Sequence, residues 1–169
     1  MAEQGRRTLL VLRHAKAVHL EGIADLDREL TKRGLRDAAA AGGWLREAGL
    51  LPDRVLCSAS ARTRQTWEQV SAALGPQAGQ AAVSFEARLY YAGPGRLLDA
   101  VREVAGGART VLLIGHNPAV HDLVADLTGT PGLSFPTCAR AVVAVSRDWP
   151  GLVPGGGELA GVWTPRGAS

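Results

Sequence analysis

Cysteines and long apolar runs are both scarce in this sequence. Its two cysteines, Cys57 and Cys138, lie in separate apolar stretches without CxxC spacing. That pattern excludes the disulfide framework of a small secreted protein, so we expect both to be buried free thiols. The apolar run after Arg6 and Arg7 is too short for a signal-peptide core, and no run is long enough to span a bilayer. We therefore expect a cytoplasmic protein without a membrane partner.

Concentrated positive charge is missing as well. The formal net charge is +3, but the arginines are scattered in ones and twos and form no lysine-rich run or aromatic-studded stripe. This distribution argues against a nucleic-acid partner and favours a small anionic group as the ligand. His19 and His121 lack partner residues at the spacing of metal ligands. We expect neither a metal nor another cofactor.

The chain does contain a regular alternation of short apolar runs and amphipathic segments, which is typical of α/β proteins. Its 169 residues, 46% of them hydrophobic, suit one domain over residues 1–169. The pattern predicts helices over 32–48, 61–74, 95–107 and 118–127. It predicts strands within 8–14, 53–60, 81–93, 110–118, 139–146 and 157–165. The last two strands should pair as a hairpin at one sheet edge. The expected fold is a layered, mostly parallel β-sheet with helices on both faces.

Three of the predicted strands end in polar residues that can carry chemistry. These residues are Arg13 and His14, then Ser58 to Arg62, and finally Gly115, His116 and Asn117. The carboxyl ends of parallel strands lie at one edge of a sheet, so residues that are distant in sequence can meet there. Two arginines and two histidines in one crevice suit a phosphoryl group.

The residue types point to phosphoryl transfer. The planar guanidinium groups of Arg13 and Arg62 match phosphoryl oxygens and can neutralise the charge that develops on them. Their positive charge should also lower the pKa of His14, which keeps one ring nitrogen unprotonated. An unprotonated imidazole nitrogen is a competent nucleophile toward phosphorus.

Three motifs in fixed order carry a resemblance to a known family. The segments "LRHAKA", "SASARTRQT" and "GHNP" resemble the histidine phosphatase superfamily, which has the phosphoglycerate mutase-like fold. Within that superfamily the chain is similar to the short SixA-type phosphohistidine phosphatases. That branch commonly has Ala or Gly after the Arg-His pair and a later segment like "DLDRELTKRG". The resemblance runs from about residue 8 to residue 164.

The resemblance implies a role for each matched residue. His14 would be the nucleophile that becomes transiently phosphorylated. Arg13 and Arg62 would bind the phosphate, and His116 would donate to a phosphoryl oxygen as the second histidine of the pocket. The enzyme would be a metal-independent phosphatase.

Other matched residues would support the site without performing chemistry. Asn117 and Ser58 would shape the substrate pocket. Asp27 and Arg28 match the family's Asp-Arg-Pro-Leu segment, although Glu29 replaces the usual proline. For this pair we expect a buried salt bridge or a loop anchor.

One departure from the superfamily bears on the substrate. Many phosphomonoesterases and mutases of the family have an Arg-Leu-x-Glu pattern whose glutamate protonates the departing alkoxide, whereas this chain has "RLYY" with Tyr91 at that position. A tyrosine with a pKa of about 10 is a poor acid at neutral pH. Phosphohistidine suits such a site, because imidazole, with a conjugate-acid pKa of about 6.5, needs little help to leave. Aryl phosphates should be accepted as well.

Several polar residues near the motifs are expected to be solvated. For the carboxylates we expect exposed loop charges; they are Glu21, Asp25, Asp27 and Glu86. Lys16 and His19 follow the Arg-His pair, and either attraction of an acidic partner or simple exposure accounts for them.

Three functions fit these observations. The first is a phosphatase that removes phosphate from a protein phosphohistidine. The second is a broad phosphomonoesterase or mutase acting on small phosphate esters, which needs another carboxylate near the leaving oxygen. The third is a phosphate-binding module without turnover, which leaves the attacking histidine without a purpose. The partner is accordingly a phosphorylated protein or a small phosphate ester.

Overall fold

The computed structural model of the protein describes residues 6–168, and within them the chain forms one seven-stranded sheet. The strands are β1 (Arg7–Arg13), β2 (Arg54–Ser58), β3 (Ala82–Glu86), β4 (Thr110–Gly115), β5 (Arg140–Val145), β6 (Gly157–Thr164) and β7 (Gly167–Ala168). Their order across the sheet is β3-β2-β4-β1-β5-β6-β7. The mixed α/β class is therefore confirmed.

The sheet is parallel on one side and antiparallel on the other. Strand β1 pairs in parallel with β4, and β2 pairs in parallel with both β4 and β3. Strand β5 runs antiparallel to β1, and β5 and β6 form the predicted antiparallel pair. The short strand β7 extends this side of the sheet beyond β6. The carboxyl ends of four parallel strands thus lie along one edge.

The third predicted strand is shorter than expected. Strand β3 ends at Glu86, and residues Ala87–Leu89 form a 3-10 turn instead of continuing to residue 93. Glu86 pairs with Ser58, the last residue of β2. Beyond Ser58 the neighbouring chain turns into a helix, so β3 has no ladder partner with which to continue.

Four helices cover the sheet within residues 6–168. They are α1 (Lys32–Glu47), α2 (Ala61–Leu74), α3 (Pro94–Val104) and α4 (Ala119–Thr128). The side chain of Thr31 caps α1 by accepting from the Gly34 amide, and Ser60 caps α2 in the same way through the Thr63 amide. Both caps satisfy an amide that the first helical turn leaves without a partner.

The strands divide the apolar residues between two cores. In β1, Leu10 and Leu12 join the core under α1 and α2, whereas Leu9 and Val11 join the core under α3 and α4. Successive side chains of a strand point to opposite faces, so a run of buried residues needs cover on both sides. The prediction of helices on both faces is confirmed.

Close helix packing and buried thiols complete the core under α1 and α2. A Cβ atom added at Gly42 of α1 would collide with the Val70 carbonyl oxygen of α2, so only glycine fits there. Cys57 and Cys138 are free and buried, as predicted, and burial raises the pKa of each thiol to about 12.

Within residues 6–168, no helix has the length and hydropathy needed to cross a membrane.

Candidate active site

The backbone holds His14 rigidly between two strands. His14 follows the last residue of β1, and its amide donates to the Gly115 carbonyl at the end of β4 at 3.0 Å. The carbonyl of His14 accepts from the Cys138 amide, also at 3.0 Å, just before β5 begins. A residue fixed at both backbone groups presents its side chain in a defined direction.

The side chain of His14 is arranged as an unprotonated nucleophile. His14 is only 8% exposed, and its Nδ1 atom lies 2.8 Å from the Ala15 carbonyl oxygen. Because a carbonyl oxygen accepts but does not donate, Nδ1 carries the proton and Nε2 keeps its lone pair. Burial lowers the pKa of His14 to about 3. The hydrogen bond to the Ala15 carbonyl opposes this shift, and the charges of Arg62 and Arg13 add to it.

A buried hydroxyl that we did not single out in the sequence supports this arrangement. Thr66 is fully buried in α2, and its Oγ1 atom accepts from the Ala15 amide at 3.1 Å. The same hydroxyl donates to the Arg62 carbonyl at 2.7 Å. Thr66 thus fixes the backbone amide of Ala15, the residue whose carbonyl orients the His14 ring. The sequence feature that could have identified Thr66 is its place in the "SASARTRQT" segment, four residues after Arg62.

His116 lies beside His14 with one ring nitrogen anchored. The two ring centroids are 5.3 Å apart, and the Nε2 atom of His116 lies 2.8 Å from the Oγ atom of the fully buried Ser58. Its Nδ1 atom is buried without a hydrogen-bond partner among residues 6–168. Burial lowers the pKa of His116 to about 4, with Arg62 and Arg13 adding to the effect. The ring is therefore neutral at neutral pH.

The two predicted arginines also carry unpartnered donors. Arg13 donates through one terminal nitrogen to the Phe135 carbonyl at 3.2 Å, and Arg62, which is 6% exposed, donates to the Asp25 carbonyl at 2.6 Å. The Nε atoms of both arginines are buried without a partner in the part of the chain that the structure describes. Buried donors are normally satisfied, so such atoms suit a polar ligand.

Asn117 is positioned by the same carbonyl that holds Arg13. Its side-chain amide donates to the Phe135 carbonyl at 2.8 Å, while its Oδ1 atom is buried and has no partner among the described residues. The structure thus brings together all six predicted site residues: Arg13, His14, Ser58, Arg62, His116 and Asn117.

Asp25, expected to be a solvated loop charge, is instead bound into this crevice. Its carboxylate accepts from Arg62 at 3.0 Å and from Arg28 at 2.9 Å, and it also accepts from the Tyr90 hydroxyl. These hydrogen bonds hold the pKa of the Asp25 carboxyl well below its usual range, although the side chain is 53% exposed. Asp25 is therefore a permanent anion at the mouth of the crevice.

The expected salt bridge between Asp27 and Arg28 does not form, because Arg28 has a different partner. Arg28 pairs with Asp25, and its Nε atom donates to the Val18 carbonyl at 2.7 Å. Residues 25–27 form a 3-10 turn, and three residues per turn bring positions i and i+3 to one side. Arg28 does anchor the loop, but through Asp25 and the backbone.

The tyrosine that faces the site is Tyr90, not Tyr91. Tyr91 is 90% exposed, whereas the Tyr90 ring lies edge-on to His116 at 5.4 Å between centroids. The 3-10 turn before Tyr90 displaces the register that a continuous strand predicts. Burial and the Asp25 carboxylate raise the pKa of Tyr90 to about 12, so it is a weak proton donor.

The other rim residues behave largely as solvated groups. Lys16 and Glu21 are exposed, and the exposed His19 ring contacts Arg28 at 2.9 Å. Glu86 is not a free charge, because it forms an ion pair with Arg88 at 2.6 Å.

An open cleft adjoins His116. Its volume is about 340 Å³, and it is lined by residues 90–94 and 116–119 together with Asp122. Its wall includes both tyrosines, so the cleft continues from the crevice to the exposed Tyr91. No group of three or more His, Cys, Asp or Glu side chains within residues 6–168 is arranged to hold a metal ion.

Comparison with known proteins agrees with this site. The family model described as "Histidine phosphatase superfamily (branch 1)" matches residues 9–90. An uncharacterised protein of Mycobacterium tuberculosis is 37% identical over 165 residues, covering 92% of this chain and 100% of the relative. The chain therefore belongs to the histidine phosphatase superfamily, and it is a phosphatase.

Among solved structures, the chain is similar to phosphohistidine phosphatases of the SixA type. A protein of Nakamurella multipartitia, provisionally named phosphohistidine phosphatase SixA, superposes with a TM-score of 0.83 at 34% identity, covering 95% of this chain and 97% of that one. The protein histidine phosphatase SixA complexed with tungstate gives 0.77 at 26% identity, covering 94% and 97%. The fold is thus the phosphoglycerate mutase-like fold that the motifs imply.

Proposed function

We propose that this protein is a phosphohistidine phosphatase that acts through a phosphorylated His14. The observation that carries the proposal is the protonation state of Asp25 and Tyr90, the two groups at the mouth of the crevice where a leaving group would depart. Asp25 is held as an anion by Arg62, Arg28 and Tyr90, and the pKa of Tyr90 is raised to about 12. Neither group can protonate an alkoxide efficiently at neutral pH.

The first step transfers the phosphoryl group to His14. The Nε2 lone pair of His14 forms a bond to phosphorus while the phosphorus–nitrogen bond of the substrate breaks, and its electron pair goes to the leaving ring nitrogen. In this step Arg13, Arg62 and the Nδ1 atom of His116 donate to the phosphoryl oxygens, a role supported by their buried nitrogens without partners among residues 6–168. His116 carries a proton on Nδ1 when its Nε2 atom accepts from the Ser58 hydroxyl.

The leaving group explains why no enzymic acid is needed. When the far ring nitrogen of phosphohistidine carries a proton, the departing group is neutral imidazole, whose conjugate acid has a pKa of about 6.5. An alkoxide instead leaves as the conjugate base of an alcohol, with a pKa near that of water at about 15.7. The site therefore favours phosphohistidine over sugar phosphates.

The second step returns the enzyme to its starting state. A water oxygen attacks the phosphorus of phospho-His14, the phosphorus–nitrogen bond breaks, and its electron pair returns to Nε2 of His14. The proton lost by the water passes to the released phosphate. The fixed tautomer of His14 is restored because Nδ1 keeps its proton toward the Ala15 carbonyl throughout.

The open cleft beside His116 supports a phosphorylated protein as the substrate. The exposed Tyr91 and the segment 116–119 leave room for a phosphorylated side chain that projects from a folded surface. The two unpaired thiols fit a reducing compartment, which supports protein dephosphorylation in the cytoplasm.

The experiment compares three phosphate donors with the native enzyme and with His14→Ala. The donors are a phosphohistidine-bearing protein, an aryl phosphate and an alkyl phosphate ester. We expect rapid release from phosphohistidine, slower release from the aryl ester, little from the alkyl ester, and none of these in the variant. Acid-labile phosphate on native His14, detected by mass spectrometry after rapid quenching, should accompany turnover. Alkyl turnover equal to that of phosphohistidine favours the phosphomonoesterase alternative, and binding without labelling favours a non-catalytic module.

A further inference from the structure

The crevice presents an electrostatic difficulty for the substrate proposed above. Arg13, Arg62 and Arg28 bring three guanidinium charges to its walls. They suit the phosphoryl group, but they disfavour a protonated imidazole ring on the same substrate. That proton is what allows the ring to leave as neutral imidazole. The site therefore needs an anion near the departing ring.

Asp25 is the anion that the structure places there. Its Oδ2 atom accepts from Arg62 and from Tyr90, and the Tyr90 ring packs edge-on against His116. His116 in turn lies 5.3 Å from His14 between ring centroids. An in-line displacement places the leaving group opposite the attacking nitrogen, toward the mouth of the crevice. With its side chain 53% exposed, the carboxylate of Asp25 has room for one more donor on the solvent side.

We propose that Asp25 is a specificity-determining residue that accepts a hydrogen bond from the protonated far nitrogen of the phosphoimidazole ring. This inference rests on the proposed function. Asp25 transfers no proton, so the ring nitrogen keeps its hydrogen when the phosphorus–nitrogen bond breaks. The carboxylate instead raises the pKa of the bound ring, which keeps a larger fraction of bound substrate in the form that can leave.

The charged and titratable groups around Asp25 set the sign of the effect. They are Arg28 on its own turn, Arg62 in α2, Tyr90 after β3 and His116 after β4. Both arginines stay positive and both of the other groups stay neutral near pH 7. His19 contacts Arg28 rather than Asp25. The Asp25 anion shifts the protonation change of the bound substrate ring toward higher pH.

The test is the pH profile of kcat with phosphoimidazole for the native enzyme and Asp25→Asn. The descending limb of kcat reports the pKa of bound substrate, whereas that of kcat/KM reports the free species. We expect Asp25→Asn to move the kcat limb down by about one pH unit, as expected for loss of a nearby opposite charge. That shift makes the ratio of variant to native kcat about tenfold lower above pH 8 than near pH 5.5. The kcat/KM limb should not move.

Two variants and a second substrate separate this role from a structural one. Asp25→Glu keeps the charge and should return the limb toward its native position. Asp27→Asn removes a carboxylate from the same turn without touching Arg62 or Tyr90, so it should leave the profile unchanged. With para-nitrophenyl phosphate, whose leaving group has no ring proton to hold, Asp25→Asn should change kcat by the same factor at every pH.

The outcomes distinguish the two proposals. Turnover of phosphoimidazole with an unmoved kcat limb in Asp25→Asn, or an equal loss on both substrates at every pH, overturns the role of Asp25 and leaves the proposed function intact. Failure of the native enzyme to hydrolyse phosphoimidazole overturns both. Circular dichroism and the melting temperature of each variant establish that the profiles compare folded proteins.

Discussion

The Nε2 atom of His116 lies 2.8 Å from the Oγ atom of Ser58, so one hydrogen bond joins the ends of two neighbouring strands. Because Ser58 is fully buried, no solvent competes for this contact. The bond fixes the ring and leaves its Nδ1 atom for the substrate. Similar hydrogen bonds orient metal-bound histidines, and their loss costs about 10- to 100-fold in metal affinity or activity.

Ser58→Ala should therefore lower kcat by about tenfold with a smaller change in KM. The ring loses this hydrogen bond and samples orientations that do not donate to the phosphoryl group. Ser60→Ala is the matched control, because Ser60 is also buried but caps α2. It should lower the free energy of unfolding by about 1 kcal/mol and leave kcat nearly unchanged. Equal kcat in Ser58→Ala and the native enzyme would contradict the orienting role.

Thr66→Val should reduce both stability and activity. Valine keeps the shape of threonine but leaves the Ala15 amide without its acceptor, which costs about 1 to 3 kcal/mol in the free energy of unfolding. The freed peptide unit should also loosen the Ala15 carbonyl that holds His14, lowering kcat. Thr66→Ser keeps the hydroxyl and should preserve most of the activity. Urea unfolding and steady-state rates measure the two effects, and a stable Thr66→Val enzyme with native kcat would refute this linkage.

Acid should destabilise the fold through its two active-site histidines. The pKa is lowered to about 3 in His14 and to about 4 in His116, whereas both have the ordinary value of 6.5 when unfolded. Below pH 6.5 the unfolded chain thus binds more protons than the folded one, so stability falls as the pH decreases toward 3. Between pH 7 and pH 4.5 the free energy of unfolding should fall in both proteins. The fall should be smaller in His14→Asn than in the native protein, by on the order of 2 kcal/mol. Parallel urea titrations at the two pH values provide the measurement.

Tyr90→Phe tests whether the tyrosine donates a proton to the leaving group. With its pKa raised to about 12, the hydroxyl is a poor acid, and we expect a less than tenfold change in kcat for alkyl and aryl phosphates alike. The rates of both esters should be measured at pH 7. A loss near a hundredfold for the alkyl ester with little change for the aryl ester would instead assign Tyr90 as the general acid.

Tyr91→Ala tests the cleft as the contact surface for a protein substrate. The exposed ring should contribute to binding of a phosphohistidine protein but not of free phosphoimidazole. Truncating a large aromatic side chain at an interface costs more than about 1 kcal/mol. We therefore expect kcat/KM to fall about tenfold for the protein substrate alone. Val153→Ala is the control, because Val153 is exposed but lies outside the cleft. Equal losses on both substrates would place Tyr91 in catalysis rather than docking.

Local sequence pattern was enough to place the candidate site residues at the ends of strands. Arg13 and His14 follow a buried apolar run, and His116 follows another, so the strand ends can be read without knowing the fold. Parallel pairing then brings such ends to one edge, as the structure shows for β1, β2 and β4. The predicted helix over 61–74 matches α2 and places Arg62 in its first turn.

The contacts that surround those residues were decided by tertiary structure alone. Asp25 rather than Asp27 meets Arg28 because a 3-10 turn brings residues three apart together, and Tyr90 rather than Tyr91 faces His116 because another such turn interrupts the strand. Neither turn has a strong local signal. The end of a strand can be predicted from the apolar pattern of its own segment. The direction of a loop side chain depends on hydrogen-bond partners that are distant in sequence.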